Sequence, residues 1–114
     1  MKMIIAYIRP SALERVTEAL RCLDGLTGMS VMEAKGFGRG RGVNYNEING
    51  ETNYFFFSAK MRIEIMVTDL LAEEVMETIC LQAYTGEKGE GKIYILNLED
   101  AVRIRTNERG ESAI

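Results

Sequence analysis

The chain has 114 residues, of which 27% are charged and 46% hydrophobic, with one Pro and a formal net charge of −3. This is the length and composition of one globular domain. It excludes a disordered tail, a collagen-like fibre and a disulfide scaffold. There is no His, which removes the commonest metal ligand, the usual general base and every Ser-His or Cys-His pair, and the acidic balance removes a global field for nucleic acid.

Residues 3–8 are almost all apolar, which predicts a strand buried on both faces and ended by Arg9-Pro10. The stretch is too short for a secretory signal, and no apolar run approaches the ~20 residues of a membrane span. A cytoplasmic protein without membrane insertion is expected. Ser11-Ala12-Leu13-Glu14 has the capping-box pattern, and Leu13, Val16, Leu20 and Leu23 follow at helical spacing. A helix over 11–23 is therefore predicted, ended by Asp24-Gly25. Residues 28–39 read as a second strand running into Gly36-Phe37-Gly38-Arg39.

The stretch 40–59 shows no periodicity. A connection of that length is well above the usual ~4–6 residues, and such loops are functional, disordered or hairpin extensions. Tyr54 to Phe57 reads as the start of the next strand. Over 60–67 the residues alternate, with Met61, Ile63, Ile65 and Val67 on one face. Glu64, beside Arg62 on the other face, is expected to pair with a cation. Asp69 is placed to cap a helix over 70–84 whose buried stripe is Ala72, Met76, Ile79 and Ala83. A turn-rich loop over 85–91 leads to a strand over 92–98 and a short last strand over 101–106. Cys22 and Cys80, on the two helices, are expected as small buried thiols.

A shift of 59 residues lays Glu14, Val16 and Glu18 on Glu73, Val75 and Glu77. Two strand–helix–strand units make an α+β ferredoxin-like βαββαβ fold over 1–114, an antiparallel sheet with both helices on one face.

Gly86 to Lys92 meets the G-x-x-x-x-G-K spacing, but Ile93 stands where the Mg²⁺-binding hydroxyl belongs, and the loop follows a helix instead of opening one. The Walker reading is rejected. Its physical content remains: glycines let consecutive amides face an anion, with Lys88 and Lys92 supplying charge. In the alternating run Val102-Arg103-Ile104-Arg105, Val102 and Ile104 are expected to face the core. Both arginines then point the other way, ~6.6 Å apart, a separation suited to a di- or triphosphate. Arg39 and Arg41 add cations, though their glycine string is not a dinucleotide fingerprint. Each cation alone reads as a solvated surface charge; together they point to a phosphate site.

The sequence resembles the PII signal-transduction proteins over nearly its whole length. The resemblance is carried by the Lys-x-Ile start with Pro10, Leu26 to Val31, Lys35 to Arg39, Lys60 to Ile65, Thr85-Gly86 with Gly89-Glu90-Gly91-Lys92-Ile93, Arg103 to Thr106, and the Ala113-Ile114 end. It implies a homotrimer with ATP or ADP in clefts between subunits, AMP being left open. Residues 40–59 would be the T-loop, which docks a target protein such as a transporter or an enzyme. Carried over residue by residue, Thr27, Gly28, Met29 and Ser30 lie near the base and ribose, and Gly36, Phe37, Gly38 and Arg39 line the cleft. Gly89, Gly91, Lys92, Arg103 and Arg105 hold phosphates, the arginines reaching across the subunit boundary. Met66 and Glu90 belong to the same cleft, and Lys60 stands at the base of the T-loop. Arg41, Tyr45, Asn49, Gly50 and Tyr54 would meet the target.

The departures are specific. Gly40 replaces a Gln that helps hold Mg²⁺ and 2-oxoglutarate, so the resemblance leaves both open. The motif around the modifiable Tyr is rewritten near Tyr54, and no uridylylation is expected. Glu90 replaces an Asp. The expectation is a non-catalytic, nucleotide-binding paralogue with no obligatory cofactor. The alternatives are sensing of a small carboxylate such as bicarbonate, a link to heavy-metal efflux, or a nucleic-acid module that the net charge opposes.

Overall fold

The structure, a computed structural model, describes residues 1–37, 47–48, 51–52 and 57–114, with backbone alone at 47–48 and 51–52. Its strands are β1 (Lys2–Ile8), β2 (Ser30–Gly36), β3 (Glu47–Ile48), β4 (Glu51–Thr52), β5 (Ser58–Val67) and β6 (Gly91–Asn97). Its α-helices are α1 (Leu13–Arg21) and α2 (Asp69–Ala83). The main sheet runs β2-β5-β1-β6 with every pair antiparallel, and β3 pairs with β4 in a separate two-residue ladder. Two strand–helix–strand units interleave, which is the ferredoxin-like α+β architecture.

Side-chain alternation gives the sheet two unlike faces. Ile4, Ala6 and Ile8 of β1 and Ile63, Ile65 and Val67 of β5 are buried, with Met61 packed against them. Over them lie Val16 and Leu20 of α1, and Ala72, Val75, Ile79 and Ala83 of α2. The opposite face is half-covered: Met3, Ile5 and Tyr7 are intermediate, and Met32, Tyr94 and Leu96 are exposed. The strand over 3–8 is thus fully buried on one face only, because among the described residues no second layer covers the other.

Four local expectations are corrected. The Ser11 capping box does not form, because Pro10–Ala12 makes a 3-10 turn and α1 starts at Leu13 behind Ala12. Asp69 is not the cap of α2 but its first residue; its carboxylate accepts from the N-terminal ammonium at 2.9 Å instead. That ammonium holds the Asp69 carboxyl below its ordinary range. Cys22 and Cys80 are both exposed, Cys22 standing just beyond the last turn of α1. The last strand over 101–106 is not formed: only Val102 bridges to Arg109, and residues 104–106 turn. Val102 is half exposed, and Ile104 is 99% exposed, so neither faces the core. The alternation of that run does not mark a strand, because a single bridge cannot hold a strand's pleat.

Strand β2 begins two residues later than expected and ends at Gly36, while β5 begins at Ser58, just after Phe57. In α2 the buried stripe includes Val75, with Met76 only partly covered.

Candidate functional site

The loop between α2 and β6 is built by its own side chains. The amides of Thr85 and Gly86 both donate to the Glu90 carboxylate, the second at 3.0 Å, and the Glu87 amide donates to the Thr85 hydroxyl at 3.2 Å. Gly86, Gly89 and Gly91 all have positive φ, of 81°, 84° and 119°. Gly91 is the demanding position. A Cβ there would lie 1.7 Å from the Tyr7 carbonyl oxygen, so only glycine lets β6 start against β1.

Two cations clamp this loop from outside. Arg9, at the end of β1, donates through Nε to the Gly89 carbonyl at 3.2 Å and through Nη2 to the Lys88 carbonyl, and its Nη1 pairs with Glu87 at 3.2 Å. Lys60, early in β5, donates to the same Gly89 carbonyl at 2.7 Å. The Lys88 and Gly89 amides have no acceptor among the described residues. Lys60 reaches the loop, and the loop and the strand after it carry Lys88 and Lys92 together with the carboxylates of Glu87 and Glu90.

A second hollow of about 500 Å³ lies further along β5. Thr27, Gly28, Met29 and Ser30 line it as the chain enters β2, together with Glu64, Met66, Arg103 and the Ala113-Ile114 end. Ser30 pairs with Glu64, which places the start of β2 beside the middle of β5. Arg103 does not swing freely there. Its Nη1 meets Glu108 at 3.2 Å and its Nη2 donates to the Ser112 carbonyl at 3.1 Å. Glu64 is paired as expected, with Arg62 at 2.7 Å. Arg62 also donates to the Tyr7 hydroxyl and lies 5.4 Å from that ring's centroid. The hydrogen bonds to Glu64 and Tyr7 raise its already high pKa.

The expected site residues are therefore distributed. Thr27 to Ser30, Met66 and Arg103 share the second hollow. Gly89 and Lys60 meet at the glycine loop, and Glu90, Gly91 and Lys92 line a groove beside α2. Gly36 closes β2, its carbonyl accepting from Ser58 at 3.0 Å, and the Phe37 ring lies 5.8 Å from that of Phe57. Arg105 is exposed on the turn over 104–106. Gly38, Arg39, Arg41, Tyr45, Asn49, Gly50 and Tyr54 lie outside the described residues. Within one subunit Lys92 and Arg103 line different hollows. Lys60 at the glycine loop and Glu64 at the second hollow are four residues or ~13 Å apart along β5.

Two residues of the site carry no motif in the sequence: Arg9, which clamps the glycine loop, and Glu108, which holds Arg103. The available signal for Arg9 was a long cation at the end of a central strand, level in register with the loop's exit.

The family model described as Nitrogen regulatory protein P-II matches residues 1–108. Proteins named Nitrogen regulatory protein P-II from Rhodospirillum rubrum and Bradyrhizobium diazoefficiens are each 45% identical to this chain, and one from Klebsiella oxytoca is 43% identical. Each alignment covers 100% of both chains.

Proposed function

The chain belongs to the nitrogen regulatory protein P-II family of signal-transduction regulators, and we propose that it is a non-catalytic sensor of adenine nucleotides. The ligand, ATP or ADP, sits at the seam between two copies. One copy contributes the glycine loop with Lys60 and Lys92. Its neighbour contributes Thr27 to Ser30, Met66 and Arg103, with Arg105 beside them. Three copies close the ring, and residues 40–59 of each carry the nucleotide state to a target protein in the cytoplasm. No obligatory cofactor is involved.

The observation that carries this reading is the split itself. Each subunit displays a cationic glycine loop and, further along the same strand, a separate hollow with an arginine held at its wall. A phosphate chain and a purine on one molecule need both, and apposition of two subunits supplies both at each seam. The half-covered sheet face adds a reason for the copies to associate. Met3 pairs with Leu96 and Ile5 with Tyr94 on it, an apolar surface that the described residues leave partly uncovered.

A nucleotide that binds the target-competent state more tightly than the other would shift the population able to bind the target, which needs differential contacts in the two states and no chemistry. Titration calorimetry with ATP, ADP and AMP, combined with sedimentation, tests the reading. One nucleotide per subunit on a trimer is expected. A chain that sediments as a single subunit, or that releases no heat with any of the three, overturns it.

A further inference from the structure

We infer that Ile104 is an apolar plug that seats in the groove between α2 and β6 of a second copy of this chain. The inference rests on the multi-copy reading above and names the contact that aligns the seam.

Ile104 is 99% exposed, yet the turn that carries it is firmly built. The Asn107 amide donates to the Arg103 carbonyl at 2.7 Å, with Asn107 itself at φ 61°. The Arg103 amide donates to the Glu108 carbonyl at 3.0 Å, Val102 bridges to Arg109, and Arg109 pairs with Asp100. A large aliphatic side chain held in water on a rigid turn loses little conformational freedom when it is covered. Most of its stabilisation is unrealised in the single subunit.

The groove has the complementary character. It encloses about 580 Å³ beside β6, an edge strand of the sheet. Its floor is apolar, from Ile8, Met76, Ile79, Ala83 and Ile93. Glu73, Glu77 and Glu90 line it as well, against a single cation, Lys92. Ile104 stands next to Arg105, which is exposed, while Arg103 on its other side is held by Glu108 and the Ser112 carbonyl. An apolar tip beside a cation therefore matches an apolar floor flanked by the Glu73 and Glu77 carboxylates, and a second copy is the occupant that this charge pattern favours. Plug and groove are different surfaces of one chain, so the contact is head-to-tail and can close into a ring.

Cys80 lines the groove and provides a reporter. In a Cys22→Ser background, Ile104→Cys is treated with copper phenanthroline or a short bis-maleimide and run without reductant. Covalent species of two and three chains are expected, and they should vanish when Cys80→Ser is added. Independently, Ile104→Asp should raise the concentration at which the assembly dissociates by at least tenfold, while Ile104→Met should not. The inference is overturned by trimers that give no linked chains, by linkage that survives Cys80→Ser, or by an Ile104→Asp assembly as tight as the parent. Those outcomes leave the nucleotide reading standing; a chain that is a single subunit at every concentration removes both.

Discussion

Lys60 donates to the Gly89 carbonyl oxygen at 2.7 Å, so the start of β5 is tied directly to the loop that leaves α2. The same oxygen accepts from Arg9 at 3.2 Å. One carbonyl thus receives two cations from neighbouring strands. The consequence is directional: the peptide is turned so that its oxygen faces the sheet.

Removing either donor should loosen the loop more than the fold. Both side chains are half-buried and their hydrogen bonds end on the loop, so Lys60→Met is expected to lower the unfolding free energy by only about 1–2 kcal/mol. Hydrogen exchange of amides 85–91 should accelerate, and nucleotide affinity should fall on the order of tenfold as one charge-assisted contact and the amide alignment are lost. Exchange mass spectrometry with calorimetry on the same variant separates the two effects.

The glycines of the loop are not equivalent. At Gly89 a side chain would meet nothing nearer than the Arg9 Nη2 at 3.7 Å, so Gly89→Ala carries only the left-handed backbone cost of ~1–2 kcal/mol. At Gly91 the added Cβ lies 1.7 Å from the Tyr7 carbonyl oxygen. No rotamer relieves a backbone clash, so β6 must part from β1. Gly91→Ala should cost more than ~3 kcal/mol. Thermal denaturation of the two variants reads the difference, and equal losses would contradict the register of Ile8 with Gly91.

The core makes a plain contrast. Ile65 is fully buried, so Ile65→Ala should cost ~2–5 kcal/mol through lost transfer energy and a residual cavity. Leu70, also on an apolar-looking run, is 95% exposed, and Leu70→Ala should fall within ~0.5 kcal/mol of the parent. Urea denaturation decides it.

The turn that displays Ile104 should open in acid. Arg109 beside Asp100, with the Ala101 amide on the same carboxylate, holds that carboxyl below its ordinary range. A carboxyl with a depressed folded pKa stabilises the folded form at and above the unfolded pKa, and this stabilisation is lost as pH falls through the folded value. Between about pH 5 and pH 2 the parent should therefore lose local stability that Asp100→Asn, already without it, does not lose. Exchange rates for amides 101–110 against pH check the sign. A steeper acid loss in Asp100→Asn would contradict the pairing.

Much of the fold was legible because its periodicities are long and unambiguous. Leu13, Val16, Leu20 and Leu23 announce one helix, and Met61, Ile63, Ile65 and Val67 announce a strand with one buried face; the core contains or touches all eight. The errors fall where a few local residues compete. Ser11 has the letters of a cap, but Pro10 draws the chain into a 3-10 turn first. Asp69 has the letters of a cap, but the N-terminal ammonium lies within reach and takes its carboxylate. Val102 to Arg105 alternates like a strand, and a two-residue period in four residues carries too little pairing to enforce one.

The amino-acid order alone determined the element sequence, the two repeated units, the glycine loop with its lysines and the family, because those reside in patterns along the chain. Only the tertiary structure decided that Arg9 and Lys60 converge on Gly89, that the cationic loop and the Arg103 hollow are apart within a subunit, and that Ile104 stands in water. These depend on strand register and on which face another layer covers, and neither is encoded in any short stretch of residues.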